Sequence, residues 1–308
     1  MGEKVLYLLA RALVGLLQAL PLPVVARLGR WGGQLAYWLD VRHRQVAVRN
    51  LTQILGRDQS PRTIRSLARE HFRRLGENYC SAIKTAAMTA EQLRPHLRFV
   101  GTEILRSSPD GTPPCSRVIA LGHFGNFELY ARFGQFAPEF QCLTTYRALR
   151  QPSLDRLLLS LRQRSGCRFF ERRTEAAALR AAIRPTGVLV GLLADQRAGG
   201  RGLAVPFFGR ECSTSPAVAL FALRYRLPLH VAICYRTAPA QWTIELGPEI
   251  PTRVQGRARP VVDILRDVHA QFEQAIRRDP ANWFWVHDRW KRTGRPAQSV
   301  PELSPTRA

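Results

Sequence analysis

Lysine is nearly missing from this 308-residue chain. The 46 basic residues include only Lys4, Lys84 and Lys291, and all the others are arginine. Acidic residues number 23, which leaves a formal net charge of +23. So much guanidinium argues for an anionic partner, with nucleic acid, lipid phosphate, acidic protein and anionic substrate all open. Cysteine is sparse and scattered. Its six positions (Cys80, Cys115, Cys142, Cys167, Cys212, Cys234) form no CxxC pair and no Cys/His cluster of zinc spacing, so they read as reduced and core-packed. Several chemistry-bearing signatures are also missing: the GxSxG elbow, the GxxxxGK[ST] phosphate loop, HExxH, and GxGxxG behind a strand. The basic character comes without a helix-turn-helix, zinc-finger or RNP signature, so a nucleic-acid partner is not expected. With 45% hydrophobic and 22% charged residues, the chain can bury a sizeable core.

The N-terminus, VLYLLARALVGLLQALPLPVV from Val5 to Val25, is apolar nearly all round and stops against Pro21 and Pro23. No A-x-A-like cleavage site follows, and Arg11 interrupts the run. A retained membrane-anchor helix over residues 1–30, shallow or barely spanning, is the expectation, with a buried core helix as the alternative. Residues 42–74 then carry nine arginines against Asp58 and Glu70, with apolar residues at helical spacing. These predict amphipathic basic helices suited to an anionic leaflet.

From about residue 115 the pattern is α/β. The apolar, β-rich runs RVIALG, FQCLTTYR, GVLVGLLADQ, LHVAICYR and WTIELG alternate with the helical stretches LDRLLLSLRQRSG, TEAAALRAAIRP and SPAVALFALRYRLP. Runs apolar throughout predict strands covered on both faces, hence a mainly parallel sheet flanked by helices. One domain is expected over residues 31–295, followed by a loose tail over 296–308.

Three of these strands run directly into ionisable residues: His123, Arg147, and Asp195 with Gln196. The C-terminal edge of an open α/β sheet is where ligands bind. His123 opens the stretch GHFGNFEL, in which Gly122, Gly125 and Asn126 supply a turn that could return Glu128 to the imidazole. A carboxylate on one ring nitrogen fixes the tautomer and leaves the other nitrogen to take a proton from a hydroxyl. Thr214 reads either as the cap of the next helix or as a substrate contact. Trp283, Trp285 and Trp290, with His287 and Arg289, read as core, and His230 as a satisfied core histidine.

HFGNFE resembles the HX4(D/E) motif of the lysophospholipid acyltransferase superfamily, and the whole chain resembles its lipid A late (secondary, lauroyl/myristoyl) acyltransferase family. The resemblance rests on the apolar N-terminal helix, VRNL (48–51), YRALRQPSLDRLL (146–158), GLLADQ (191–196), VPFFGRECSTSP (205–216) and NWFWVHDRWK (282–291), in the family's order. It implies acyl transfer from an acyl carrier protein or coenzyme A thioester to a hydroxyl of an anionic glycolipid, at the cytoplasmic face of the bacterial inner membrane. No metal or bound cofactor is implied. His123 would be the general base, Glu128 its orienting partner, and Arg147, Asp195, Gln196, Asn126 and Thr214 substrate contacts. A phosphoinositide mannoside as acceptor, or a non-catalytic basic protein that binds membrane or nucleic acid, are the alternatives. The FPEGT-type block of the glycerophospholipid branch is not in the sequence, which argues against a lysophosphatidate acceptor.

Overall fold

A computed structural model describes residues 2–105 and 114–291. The chain opens with four helices: α1 (Gly2–Ala19), α2 (Leu22–Leu39), α3 (Val41–Leu55) and α4 (Pro61–Ala87). The expectation of one anchor helix over residues 1–30 is corrected here. Proline has no N–H and drives the residue before it out of the helical region, so Pro21 ends α1 and the chain restarts as α2. No helix among the described residues is long and apolar enough to cross a membrane. Neither is α1 a core helix, because only Leu17 is buried. Its C-terminal end is tied to α4 by Lys84 Nζ, which donates to the Gln18 carbonyl at 2.6 Å.

Glycines let α2 and α4 pack backbone to backbone. A Cβ on Gly29 or Gly33 would collide with the Gly76 or Phe72 carbonyl, and one on Gly76 with the Gly29 carbonyl. The basic stretch expected to be helical forms α3 and the first half of α4. Arg30 and Arg74 grip Glu70 there, and Arg74 also grips Asp279.

After the short helix α5 (Ala90–Leu93), the α/β part begins with β1 (Leu97–Val100), β2 (Arg117–Leu121), β3 (Gln141–Tyr146), α6 (Pro152–Gln163), β4 (Arg168–Glu171), α7 (Ala176–Ala182) and β5 (Val188–Leu193). The hairpin of β6 (Leu203–Phe207) and β7 (Arg210–Thr214) follows, then α8 (Ala217–Tyr225), β8 (Leu229–Ala238), β9 (Gln241–Leu246) and α9 (Val261–Arg278). The main sheet has seven strands in the order β1-β9-β8-β2-β5-β3-β4. All neighbouring pairs are parallel except β8 with β9. The mainly parallel sheet flanked by helices is therefore as the sequence implied, and the apolar runs are its strands.

Side chains alternate across the sheet and build two cores. Val118, Ala120, Val190, Leu192, Val231 and Ile233 face α8, α9 and the β6–β7 hairpin. Ile119, Leu121, Leu189, Cys142 and Ala232 face the opposite way, towards a 3-10 segment, Phe127–Gln135. Cys142, Cys212 and Cys234 are buried as expected, whereas Cys115 is exposed; all six cysteines are free thiols. His230 is buried, with Nδ1 3.1 Å from the Gly247 carbonyl. The expected tail over 296–308 lies outside the described residues.

Candidate active site

The parallel register of β2 and β5 decides the chemistry. Leu121 is the cross-strand partner of Leu193, and the Ala194 N–H donates to the Leu121 carbonyl at 2.8 Å. Two residues beyond each partner stand His123 and Asp195. The imidazole Nδ1 lies 2.8 Å from Asp195 Oδ1, and the His123 backbone N–H donates to Oδ2 at 2.9 Å. The Trp283 indole N–H donates to the same Oδ2 at 2.9 Å. Asp195 is only 1% exposed. Burial pushes its carboxyl upwards, but the imidazole charge and these three hydrogen bonds outweigh that cost, so it titrates below its ordinary value. An ionised Asp195 fixes the proton on Nδ1, and Nε2 makes no hydrogen bond with any described residue. His123 is thus a base with one nitrogen anchored and the other bare.

Glu128 is not the carboxylate on His123. It is the second residue of the 3-10 segment, and its oxygens accept a bidentate pair from Arg162 on α6, Nε at 3.0 Å and the terminal nitrogen at 2.5 Å. The sequence holds the reason: a five-residue step gives no closure onto the imidazole unless the turn folds back. Here the turn instead delivers Phe127 against the His123 ring, with centroids 4.8 Å apart, while Phe284 covers it at 5.6 Å. Gly125 adopts φ +50°, and a Cβ there would meet the Cys234 carbonyl at 2.6 Å, so only glycine fits the turn. Its N–H donates to the Asn282 carbonyl at 3.1 Å, and Asn282 Nδ2 donates to the Cys234 carbonyl at 2.9 Å. The late NWFWVHDRWK block is thereby stitched to the His123 turn, and the Trp283 indole is aimed at Asp195.

The remaining expected substrate contacts fall apart by location. Arg147 follows β3, is exposed, and makes no hydrogen bond or ion pair with the described residues. It shares the C-terminal edge with His123 but stands two strands away, about 10 Å in the spacing direction. Gln196 is half-buried beside Asp195. Asn126 is buried behind His123, and neither end of its amide has a hydrogen-bond partner among the described residues. Thr214 is fully buried, and its hydroxyl accepts from the guanidinium of Arg289 at 2.8 Å. Its hydroxyl faces the interior beside that buried cation, and it lines none of the cavities around His123.

Three cavities meet at this place, and Phe127 and Glu128 line all of them. One is a small notch of about 20 Å³ that His123 also lines, together with His71 and Asn126. The second, about 110 Å³, runs beneath the sheet along Ile119, Leu121, Leu189, Gly191 and Cys142. The third, about 460 Å³, is a groove between α4 and α6. Sequence reasoning missed Arg162; it assigned Trp283 to the core, where the structure does bury it, but not its hydrogen bond to Asp195. Arg162 offered no signal, being one of two arginines on α6, whereas the Trp283 block could have been weighed as a site because it is polar and aromatic together.

No group of three or more His, Cys, Asp or Glu side chains among the described residues could hold a metal ion. The arrangement can do general-base chemistry on a hydroxyl next to apolar binding space. Residues 3–292 match the family model of the bacterial lipid A biosynthesis acyltransferases. Comparison with curated proteins brought no match.

Proposed function

The chain belongs to the bacterial lipid A biosynthesis acyltransferase family, and from this premise we propose that it moves a fatty acyl chain from a thioester donor to a hydroxyl of a lipid A precursor. The observation that carries this reading is His123 with Nδ1 held by buried Asp195 and Nε2 bare, beside two apolar cavities. The acceptor hydroxyl gives its proton to Nε2 as its oxygen attacks the thioester carbonyl carbon. Asp195 stabilises the imidazolium that forms. Collapse of the tetrahedral adduct breaks the C–S bond, and the leaving thiolate takes the proton back from Nε2. Ester and free thiol are the products, and the enzyme returns unchanged. The donor is an acyl carrier protein or coenzyme A thioester. The step needs no metal or prosthetic group.

Glu128 then acts through Arg162: the bidentate pair fixes both groups at the junction of the cavities, next to the reacting carbon. Arg147, exposed on the same sheet edge, suits a phosphate of the anionic acceptor, because a guanidinium can bind phosphate through two parallel hydrogen bonds. Docking on the cytoplasmic face of the inner membrane is supported by large apolar side chains left in the open on α1 and α2. Trp31 is 78% exposed and Leu39 72%, and Leu8, Leu9, Leu13, Leu16, Leu35 and Trp38 are also exposed. Apolar surface of this extent marks an interaction site, and tryptophan favours the headgroup boundary. The arginines of α3 and α4 add attraction to anionic lipid.

The test incubates purified protein and a lipid A precursor with acyl carrier protein or coenzyme A thioesters, and reads lipid products by mass spectrometry. A precursor heavier by one acyl group, formed by the native protein and not by His123→Ala, is expected. No acylated lipid with either donor class overturns the reading. Flotation with anionic vesicles should carry the protein upwards, and Trp31→Glu with Leu35→Glu should weaken that flotation.

A further inference from the structure

Helix α6 is unusual in this fold. Leu154, Leu157, Leu158 and Leu161 recur at i, i+3, i+4 and i+7, the pattern of a helix that packs against a core. Yet no residue of α6 is fully buried. The leucines instead form one wall of the 460 Å³ groove, whose other wall is α4 with Ile83 and Ala86. The groove's inner end is the Glu128–Arg162 ion pair, which it shares with the narrower cavity beneath the sheet. Towards the outside, α6 touches α1 through Ser153, whose hydroxyl donates to Glu3 at 2.8 Å. Next to the groove therefore lies the helix that leaves its leucines exposed.

We propose that this α4–α6 groove binds a hydrocarbon chain of the acceptor lipid, while the cavity beneath the sheet takes the donor's acyl chain. The proposal rests on the acyl-transfer reading given above. Both substrates of such a transfer carry hydrocarbon, and both must reach the same bare nitrogen. The two apolar spaces meet next to His123, at Phe127 and Glu128. The sheet-side cavity, about 110 Å³ and lined by strands and the 3-10 segment, suits one linear chain. The groove is about four times larger and stands beside exposed apolar helices, so it suits a chain that arrives with its lipid from a membrane surface. The ion pair between them keeps the two chains apart and leaves the ester-forming atoms at the junction.

The experiment measures separate KM values for acceptor and donor. Leu158→Trp, which fills the groove from a half-buried position, should raise the acceptor KM about tenfold or more, because several methylenes lose their apolar contact. Donor KM and donor chain-length preference should stay as in the native protein. Leu158→Gln, which keeps the volume but makes the wall polar, should give the same split, so the result does not depend on the larger replacement folding. An acceptor with shortened chains should abolish the difference between native and variant. Conversely, Cys142→Phe, in the sheet-side cavity, should move donor chain-length preference and spare the acceptor KM. Unchanged acceptor KM in both Leu158 variants, or a shift in donor preference instead, overturns the assignment. Native protein that acylates no lipid at all overturns the underlying reading, a result separable from either.

Discussion

His123 and Asp195 lie 72 positions apart in the chain, yet both stand two residues past a single cross-strand pair, Leu121 and Leu193. In a parallel pair of strands, equal offsets beyond a register pair emerge side by side at the same edge. The 2.8 Å contact between Nδ1 and Oδ1 follows from that register. It is a consequence of sheet order rather than of any local motif.

Asp195→Asn keeps the shape of the side chain but turns a double acceptor into a half donor that opposes the imidazole N–H. The expected result is a loss of kcat on the scale of about 10²–10⁴, comparable with His123→Ala, with the fold retained. Because the two residues act as one unit, the double variant should be little worse than His123→Ala alone. Steady-state kinetics of the three proteins checks this; strictly additive losses refute it.

Glu128→Gln separates the two carboxylates. It weakens the grip of Arg162 without touching the His123 hydrogen bonds, so activity should fall while the acidic limb of the kcat/KM pH profile, which reports the general base, stays in place. Asp195→Asn should displace that limb to lower pH, since the imidazolium loses its counter-charge. A profile displaced by Glu128→Gln instead would restore Glu128 as the partner of His123.

Trp283→Phe removes the indole N–H that reaches Asp195 Oδ2 and keeps most of the aromatic packing. A buried charged acceptor that loses one of its donors costs about 1–3 kcal/mol. Chemical denaturation should show that loss, and kcat should fall more than substrate KM rises. Unaltered stability and kcat would remove Trp283 from the site.

Stability should fall as pH drops from about 6.5 to 4. Burial pushes His71 down to about 4, only partly offset by the Ala281 carbonyl. Burial, then the charge of Arg289, holds His269 at about 4. In the unfolded chain imidazole titrates near 6.5, so within this window the unfolded state binds protons that the native state refuses. The stability is fully present above the window and lost below it, by up to about 3 kcal/mol per histidine. Asp195, held below its usual value, adds to the loss only at still lower pH. Tm measured from pH 7 to 4.5 should decline steeply, and His71→Asn should decline less steeply whatever its absolute Tm. Equal slopes would refute the buried neutral imidazole.

Sequence by itself determined the strands, the alternation with helices and the mainly parallel sheet, because short β-rich apolar runs bounded by turn residues suit strands covered on both faces. It also named His123 and Asp195 individually, since polar residues that end such runs must emerge at the sheet edge. Which carboxylate meets the imidazole was decided only by tertiary structure. Strand order brings β5 beside β2, and nothing local to GHFGNFEL encodes a neighbour 72 residues away. The same holds for Trp283 and Arg162, which reach the site from elements whose own sequences satisfy ordinary packing rules. The N-terminal run shows the opposite limit. Its hydropathy was legible and its length was suggestive, but Pro21 divides it, and the glycine contact of α2 with α4 makes the part after Pro21 the start of a packed helix.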